Sequence, residues 1–371
     1  MKIITLAFIP LLLAGIMLPD EQCNNTKPHT TRFDGPYVMY RSNQVVVQYI
    51  LDDHGTRKVQ TERYPLTQKN DITLQVATDD PARMFSVKLK DKLETEKTDF
   101  HEPEKLYVIS DIEGEFGAFR KLLQAGGIID AEYNWTFGNG HLVLTGDFVD
   151  RGSMQTEVLW LIYALEEKAK AAGGYVHFIL GNHEIMNLSG DLRYLHSKYK
   201  ESVSLLVEEY TSLIGGSSEI GRWLRTKNVM EKIGDILFLH GGVSAPVNRM
   251  DLSASRLNKL VRPYYDDSTY SYKNATVDTL YSDYGPFWYR GYYTNSPSIE
   301  IQTVETTLRQ YKVKKIATGH TVIADTISSV FGGRVINTDV HHLKGHSEAL
   351  LVEGGNYYRV LPSGEKKPLF K

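Results

Sequence analysis

The chain has 371 residues, which is enough for one large domain or two smaller ones with an ample hydrophobic core. Its 42 lysines and arginines nearly balance its 45 aspartates and glutamates, and the formal net charge is −3. Because a basic surface is needed to attract polyanions, this balance argues against nucleic acid or an anionic membrane surface as the main partner.

The first predicted element is a secretory signal peptide over residues 1–22. Lys2 precedes an apolar run from Ile3 to Leu18, which is the order of charge and apolar residues found in export signals. A membrane anchor is the alternative, but the run is short for a bilayer span. We therefore expect export to the periplasm and no stable membrane span after processing. Cys23 is the only cysteine, so no disulfide can form within the chain.

The region from residue 28 to residue 100 is predicted to be a small β-rich accessory unit. Apolar and polar residues alternate there in three runs, as in half-buried strands. The runs are Tyr37–Tyr40, Val45–Ile50 and Ile72–Val76. Turn signals stand at residues 53–55 and 78–81. The charged stretch from Lys88 to Glu104 is the predicted linker to a larger domain over residues 105–371.

The larger domain is predicted to alternate strands with helices. Apolar residues at helical spacing indicate four helical segments. These segments are residues 116–123, 154–172, 192–223 with a break near 215–216, and 299–311. Strand pairs are predicted over residues 228–239, 327–336 and 349–360. Residues 264–293 are rich in tyrosine without a clear period, so we expect a long excursion over a functional site.

Five apolar runs of this domain each end in residues that could bind a metal ion. The clusters are Asp111 after Tyr107–Ser110, Gly146–Gly152 after Leu142–Thr145, Gly181–Glu184 after Val176–Leu180, His240–Gly242 after Ile236–Leu239, and Gly319–Thr321 after Lys315–Ala317. Strands that end at the same edge of a sheet bring such clusters together. Any one cluster alone would more often be an ordinary turn, but five in one chain indicate a shared site.

The side chains of these clusters have the chemistry of a two-metal site. Carboxylate, amide and imidazole groups bind divalent metals, and one bridging carboxylate would let the set hold two ions about 3.5–4 Å apart. The candidate ligands are Asp111, Asp147, Asn182, His240 and His320. Two such ions generate hydroxide near neutral pH and stabilise an in-line displacement at phosphorus.

Four further residues are predicted to act in catalysis. Arg151 and Arg290 could bind phosphate oxygens and neutralise their charge in the transition state. His183 follows a predicted ligand and could donate a proton to the departing oxygen, oriented by Asp150. The chain has no Cys-x5-Arg loop, so any tyrosine phosphatase activity would depend on metals and not on cysteine.

These clusters resemble the blocks of the phosphoprotein phosphatase branch of the calcineurin-like metallophosphoesterases. That branch carries Gly-Asp-x-His-Gly, Gly-Asp-x-Val-Asp-Arg-Gly, Gly-Asn-His-Glu, His-Gly-Gly and a late histidine. The blocks stand here as Ser110–Gly114, Gly146–Gly152, Gly181–Glu184, His240–Gly242 and His320. The signal sequence, the β-rich extension and the segment Phe287–Gly291 resemble the bacterial Shewanella-like phosphatases.

The resemblance implies an α/β (α+β) fold, the metallophosphoesterase αββα sandwich, with the small β-rich extension at its N-terminus. It implies one ion held by Asp111 and Asp147, and a second held by Asp147, Asn182, His240 and His320. It also implies phosphate binding by Arg151 and Arg290, and an acid pair of Asp150 with His183. The implied reaction is hydrolysis of a phosphorylated protein, with activity on phosphotyrosine, or of a small phosphomonoester, by a metal-bridging hydroxide.

One position departs from the family's pattern. The family's histidine two residues after the first aspartate is Glu113 here. A carboxylate is a harder ligand than imidazole, so a first site that includes Glu113 would prefer Mn, Mg or Ca over Zn or Fe. We expect Glu113 to bind the metal; if it does not, the first site is weaker.

Two other functions remain open. A symmetrical dinucleoside tetraphosphatase shares these blocks, although an exported enzyme would not meet that cytosolic substrate. A metal-binding module with an impaired first site is the second alternative. The presence of His183, Asp150 and both arginines argues against it, because a binding module has no need of a general acid.

Overall fold

The computed structural model describes residues 30–269 and 271–370. The predicted signal peptide and Cys23 lie outside these residues. The strands are β1 (Thr30–Arg41), β2 (Gln44–Asp53), β3 (Thr56–Pro65), β4 (Thr73–Ala77), β5 (Met84–Lys88), β6 (Asp99–Phe100), β7 (Lys105–Ile109), β8 (His141–Leu144), β9 (Tyr175–Phe178), β10 (Met230–Ile233), β11 (Ile236–Leu239), β12 (Lys315–Thr318), β13 (Ser328–Val330), β14 (Val335–Asn337), β15 (Ala349–Glu353), β16 (Asn356–Val360) and β17 (Lys366–Pro368). The α-helices are α1 (Phe116–Ala125), α2 (Gln155–Ala171), α3 (Asn182–Ser189), α4 (Ser197–Leu206), α5 (Tyr210–Leu213), α6 (Glu219–Leu224), α7 (Ala245–Arg249), α8 (Ala254–Val261), α9 (Ala275–Tyr281), α10 (Gly291–Thr294) and α11 (Pro297–Tyr311). Short 3-10 helices cover Leu66–Asp71, Arg262–Tyr264 and His342–Lys344.

The accessory region folds into a three-stranded antiparallel sheet and a separate hairpin. In the sheet β2 pairs with both β1 and β3, and β4 pairs with β5 in the hairpin. The three predicted strand runs coincide with β1, β2 and β4, so this β-rich region is confirmed. His54 and Gly55 both have positive φ and form the two-residue turn between β2 and β3, the conformation that such hairpin turns require.

Two six-stranded sheets form the centre of the larger domain. Their strand orders are β17-β16-β15-β7-β8-β9 and β13-β14-β12-β11-β10-β6. Along β7, Leu106 and Val108 belong to the apolar cluster between the sheets, while Tyr107 and Ile109 belong to the cluster that includes the helices. This division follows from the alternation of side chains along a strand. Since α2 packs on β9 and α8 packs on β10, the αββα sandwich is confirmed.

A polar contact crosses the apolar space between the two sheets. Nδ1 of His177 on β9 lies 2.7 Å from Oε2 of Glu231 on β10, and its Nε2 lies 2.9 Å from Nδ1 of His141 on β8. His177 and Glu231 are both buried. Burial lowers the pKa of His177 to about 3, and burial together with His177 lowers the pKa of His141 to about 4. Both rings are therefore neutral near pH 7.

We expect His177 and His141 to contribute stability that is lost as the pH falls from about 6.5 toward 4. The folded pKa values of His177 and His141 lie below the ordinary value of 6.5. These two imidazoles therefore bind more protons in the unfolded chain over this range, and their titration favours unfolding, whereas burial raises the pKa of Glu231, which titrates in the opposite sense. Urea unfolding of the metal-free protein at several pH values measures the slope. His177→Gln should flatten it, and His54→Gln in the exposed β2–β3 turn should not; equal slopes in all three proteins would contradict the prediction.

The accessory region and the larger domain share one hydrophobic core. Nε1 of Trp160 on α2 donates to the carbonyl of Pro36 at 2.8 Å, and the hydroxyl of Tyr163 accepts the N–H of Lys90 at 2.7 Å. The charged segment predicted as a linker also contributes β6, which pairs in parallel with β10. The accessory strands β1, β4 and β5 thus pack against α2, which also packs on β9.

Most predicted elements of the larger domain are confirmed, with one extended error. The segments predicted over 116–123, 154–172 and 299–311 correspond to α1, α2 and α11. The helix predicted over 192–223 is instead three short helices, α4 to α6. Val207 takes the left-handed conformation with φ 56° and ends α4, which is rare for a β-branched residue. Across the two described ranges, every helix is too short or too polar to traverse a bilayer.

Candidate functional site

The polar clusters predicted at strand ends meet at one edge of the sandwich. β7, β8 and β9 are parallel neighbours in one sheet, and β11, β12 and β14 are parallel neighbours in the other, so their carboxyl ends lie together. The N–H of His320 lies 3.2 Å from each carboxylate oxygen of Asp111, which joins the two sheets at this edge. The predicted residues found there are Asp111, Glu113, Asp147, Asp150, Arg151, Asn182, His183, His240, Arg290 and His320.

Asp147, His240 and His320 form a buried group that could hold a metal ion. One ligand atom of each lies within 4.8 Å of the others, and Oδ1 of Asn182 lies 3.1 Å from Nε2 of His240. Nδ1 of His240 lies 2.7 Å from the carbonyl of Thr145, which leaves Nε2 facing Oδ2 of Asp147 at 3.0 Å. A backbone carbonyl that fixes the imidazole in this way is the usual support of a metal-binding histidine.

The charges of this group fit a divalent cation. Burial, reinforced by Asp147 and opposed by His240, raises the pKa of Asp111 to about 6. Burial also acts against the charge of Asp147, but His240 and His183 hold its pKa below the usual range. Burial likewise opposes the charge of His240, yet Asp147 raises its pKa to about 9. Two neighbouring buried carboxylates repel each other, and a bound cation would relieve that repulsion.

His183 and Asp150 form a buried pair beside this group. Nδ1 of His183 lies 2.7 Å from Oδ2 of Asp150, and the amide of Asn187 donates to the other Asp150 oxygen at 2.8 Å. The N–H of Asp150 donates to Oε1 of Gln155 at 2.7 Å. The second ring nitrogen of His183 therefore faces the site, 3.9 Å from Oδ2 of Asp147. An imidazole with Nδ1 hydrogen-bonded to a carboxylate and Nε2 facing the site is positioned to transfer a proton at Nε2.

The backbone at this edge is held in the left-handed region at many positions. Non-glycine residues with positive φ are Asp111 (52°), Glu113 (50°), Asp147 (60°), Asp150 (70°), Arg151 (58°) and His320 (68°). Each such residue costs about 1–3 kcal/mol, so the surrounding contacts must hold it there. Concentrated strain of this kind is typical of functional sites.

Glu184 holds two of these loops together. Its carboxylate accepts the N–H groups of Asp147 at 2.9 Å, Phe148 at 2.7 Å and Gly181 at 2.7 Å. The side chain is fully buried. In the sequence, Glu184 stands within the Gly181–Glu184 block, which by itself indicates no role for it. Its signal was the three-residue spacing after Gly181, at which an acidic side chain returns to the start of a helix.

A cleft of about 390 Å³ lies above the buried group, and both predicted arginines line it. The guanidinium of Arg151 contacts the carboxylate of Glu113. Arg290, just before α10, donates to the carbonyl of His320 and to Oγ1 of Thr321 at 3.1 Å. Two guanidinium groups at the mouth of a metal-binding group suit an anionic ligand such as phosphate.

Asp339, which lines the cleft, and Tyr194, which lies beside it, were not predicted from the sequence as site residues. The ring of Tyr194, which is 43% exposed, lies 5.1 Å from that of His183 and 5.3 Å from the guanidinium of Arg151. Asp339 follows β14 and lines the cleft; burial, together with Asp111 and other carboxylates, raises its pKa well above the ordinary value. Asp339 carried the signal used for the other clusters, a carboxylate just after an apolar run, whereas Tyr194 carried none.

The tyrosine-rich segment over residues 264–293 contributes less to the cleft than expected. Of its residues, Arg290 lines the cleft. Tyr265, Tyr272, Tyr281 and Tyr292 are buried in the hydrophobic core. The aromatic side chain beside His183 comes instead from Tyr194, which precedes α4.

A family model of calcineurin-like phosphoesterases matches residues 104–324. The chain belongs to the calcineurin-like phosphoesterase family. This phosphoesterase is 26% identical over 300 residues to Shewanella-like protein phosphatase 2 of Arabidopsis thaliana, and the match covers 68% of this chain and 75% of that relative. It is also 30% identical over 140 residues to a symmetrical bis(5'-nucleosyl)-tetraphosphatase of Glaesserella parasuis, over 37% of this chain and 44% of that relative.

The crystal structure of the cold-active protein-tyrosine phosphatase of a psychrophile Shewanella sp. resembles this phosphoesterase along most of its length. The TM-score is 0.81 at 35% sequence identity, and the match covers 91% of this chain and 99% of that chain. The predicted resemblance to Shewanella-like phosphatases and the metallophosphoesterase fold are therefore confirmed. The family implies divalent metals, and the buried group of Asp147, His240 and His320 offers ligands for one.

The position of Glu113 leads to a test of its predicted role. Its carboxylate lines the cleft and contacts Arg151, so a role as a metal ligand stays a prediction. If Glu113 is a ligand, Glu113→Ala should raise the Mn concentration needed for activity, while Glu113→His should shift the preference toward Zn or Fe, because imidazole is the softer ligand. Titration of Mn into metal-stripped wild type and both variants measures the effect.

Glu132→Ala, at an exposed position in the loop between α1 and β8, is the control for the loss of a surface carboxylate. Superimposable activation curves for wild type, Glu132→Ala and Glu113→Ala would mean that Glu113 does not bind the metal. In that case its contact with Arg151 predicts a different defect, a changed KM for the phosphate ester at saturating metal.

Proposed function

We propose that this phosphoesterase hydrolyses phosphate monoesters with two divalent metal ions and acts on phosphorylated proteins, phosphotyrosine included. The observation that carries the proposal is the position of a buried metal-binding group beside a His–Asp pair, below a cleft lined by two arginines. A site that only bound metal would need neither the His–Asp pair nor the arginines.

The proposed ligands divide into two overlapping sets. Asp111 and Asp147 would hold the first ion, with Glu113 as a further candidate, and Asp147, Asn182, His240 and His320 would hold the second. The metal could be Mn, Zn, Fe, Mg or Ca, because the ligands include both hard oxygens and imidazoles. Two such ions, when bound, supply a water nucleophile near neutral pH and neutralise charge on the phosphoryl oxygens.

The two arginines would bind and orient the phosphate. Arg290 is fixed against the carbonyl of His320 and Oγ1 of Thr321, so its guanidinium is held at the cleft wall. Arg151 is 39% exposed in its side chain and can turn toward an anion from its contact with Glu113. Guanidinium groups placed before the ligand arrives stabilise transition-state charge with little reorganisation.

His183 would donate a proton to the departing oxygen. Its Nδ1 is occupied by Asp150 at 2.7 Å, so transfer must take place at Nε2, which faces the site. Asp150 is itself held by Asn187 and by Gln155, which fixes the direction of the ring. Protonation of the leaving oxygen matters most when that oxygen is a poor leaving group.

Activity on phosphotyrosine is supported by two observations. The Shewanella enzyme that shares this fold at 35% identity is described as a protein-tyrosine phosphatase. Tyr194 places an exposed aromatic ring near His183, where it could pack against the phenyl ring of a phosphotyrosine.

From the pattern of residues 1–22 we also propose that the enzyme is exported to the periplasm and meets its substrate there.

A substrate panel tests the proposal. Metal-stripped protein should be inactive toward para-nitrophenyl phosphate and regain turnover when Mn is added. With metal, a phosphotyrosine peptide should be hydrolysed at least as well as the same peptide with phosphoserine, and better than a dinucleoside tetraphosphate. Faster turnover of the dinucleotide would support the alternative function, and absence of turnover on every ester would support a binding module.

A further inference from the structure

A second, apolar groove of about 390 Å³ adjoins the catalytic cleft. Tyr293, Pro297, Ile323, Val330 and Phe331 form most of its wall. Two chain segments lead from the cleft into this groove. In one, Arg290 lines the cleft and Tyr293 lines the groove; in the other, Val322 lines the cleft and its neighbour Ile323 lines the groove. Neighbouring residues of both segments thus line the two cavities, which places the groove beside the cleft.

The two cavities differ sharply in chemistry. The cleft is lined by both arginines and several carboxylates. The described residues that line the groove include no charged side chain, and Asn295 is the polar exception among aromatic and aliphatic groups. Ile323 remains 42% exposed in the groove, although an apolar side chain of this size gains free energy from burial. The groove is thus suited to an apolar ligand and the cleft to an anionic one.

The backbone of Phe331 gives a second, independent observation. Phe331 has φ 52° in the turn between β13 and β14, where Gly332 and Gly333 also have positive φ. A bulky residue in this conformation is strained, and glycine would relieve the strain. The side chain of Phe331 packs against the hydrophobic core on one side and forms part of the groove wall on the other.

We propose that the groove binds an apolar side chain of the phosphorylated protein, close in sequence to the phosphorylated residue. The inference rests on the proposed function, since the phosphate must lie at the arginines of the cleft. It makes the enzyme selective for phosphopeptides with an apolar neighbour over small phosphomonoesters, which cannot reach the groove.

The spacing follows from chain geometry. Arg290 and Tyr293 are separated by one turn of α10, about 5 Å along the helix axis. An extended peptide advances about 3.3–3.6 Å per residue. With the additional reach of the arginine side chain, the apolar residue should lie two or three positions from the phosphorylated one.

Fluorescent phosphotyrosine peptides test the proposal. Each peptide carries one leucine, placed one to four positions before or after the phosphotyrosine, and a peptide with alanine at all of these positions is the reference. Binding is measured by anisotropy with His183→Asn, and turnover with the active enzyme, alongside para-nitrophenyl phosphate. Leucine at the favoured position should tighten binding and raise kcat/KM about tenfold, the size of one buried apolar side chain. Ile323→Ser and Phe331→Gly, introduced into both proteins, should abolish this preference and leave turnover of para-nitrophenyl phosphate unchanged.

Leu66→Ser is the matched control, because Leu66 is 43% exposed and lies in the accessory region. It should leave the leucine preference intact. Ile323→Ser changes a side chain that is 42% exposed, so loss of folding does not explain a loss of preference in that variant. Equal binding of all peptides, or an unchanged preference in both groove variants, would overturn the groove proposal while hydrolysis of phosphate esters still supported the proposed function. If no ester is hydrolysed, the proposed function fails, and the anisotropy measurements decide the groove by themselves.

Discussion

Replacement of His183 with asparagine is expected to lower kcat by about 10²–10⁴, the usual range for loss of a general acid. Asparagine can still accept or donate at the position of Nδ1, where His183 meets Asp150 at 2.7 Å, but it cannot transfer a proton. The loss should be larger for phenyl phosphate than for para-nitrophenyl phosphate, because the poorer leaving group depends more on protonation.

Steady-state rates on both esters at saturating Mn measure this difference. His54→Asn, in the exposed turn between β2 and β3, is the control for an imidazole lost elsewhere and should have no effect. If the two esters lose the same factor, His183 acts only in positioning and the acid must be sought in another group of the cleft.

Asp147→Asn is expected to remove most activity, about 10³-fold or more, since a bound metal provides several kcal/mol of charge stabilisation. Asp147 is proposed to bridge both ions, and its Oδ2 lies 3.0 Å from Nε2 of His240. The amide is a weaker ligand and cannot bridge as a carboxylate does. The protein should remain folded, because the Glu184 bonds to this loop are made by backbone N–H groups.

Metal content after dialysis tests the loss of metal, steady-state rates test the loss of activity, and circular dichroism tests whether the protein remains folded. Asp235→Asn is the control, because Asp235 forms an exposed ion pair with Lys314 on the far hairpin. An Asp147→Asn protein that retained two metals and near-normal turnover would show that another carboxylate bridges the ions; Asp111 and Asp339 are other carboxylates near the site.

The edge of the sandwich that carries the site could be predicted because it depends on local pattern. The apolar run before Gly146 and the run before Gly181 each indicate a strand, and parallel strands place the residues at their carboxyl ends along a common edge. The positions of Asp147 and Asn182 could therefore be predicted from the order of residues alone. The same holds for the hairpin around Gly234, which needs only a turn signal between two apolar runs.

Other features depend on contacts between distant segments and had no local signal. Tyr194 reaches His183 only because the chain before α4 folds over the site. The contact of Glu113 with Arg151 depends on left-handed backbone at both residues, a conformation that residue type does not favour. Tertiary contacts determined these two features against local preference. The end of α4 at Val207 is a local cap, but it too requires left-handed backbone, which a β-branched residue does not favour.

The shared core of the accessory strands and α2 has a consequence for how such an enzyme can evolve. The family match begins at residue 104, yet the indole of Trp160 inside that match finds its partner at Pro36. A related chain that lacked the accessory strands would expose the indole of Trp160. It would also expose an apolar face of α2. The accessory strands therefore cannot be exchanged independently of the larger domain. Substitutions in α2 are expected to occur together with compensating substitutions in β1.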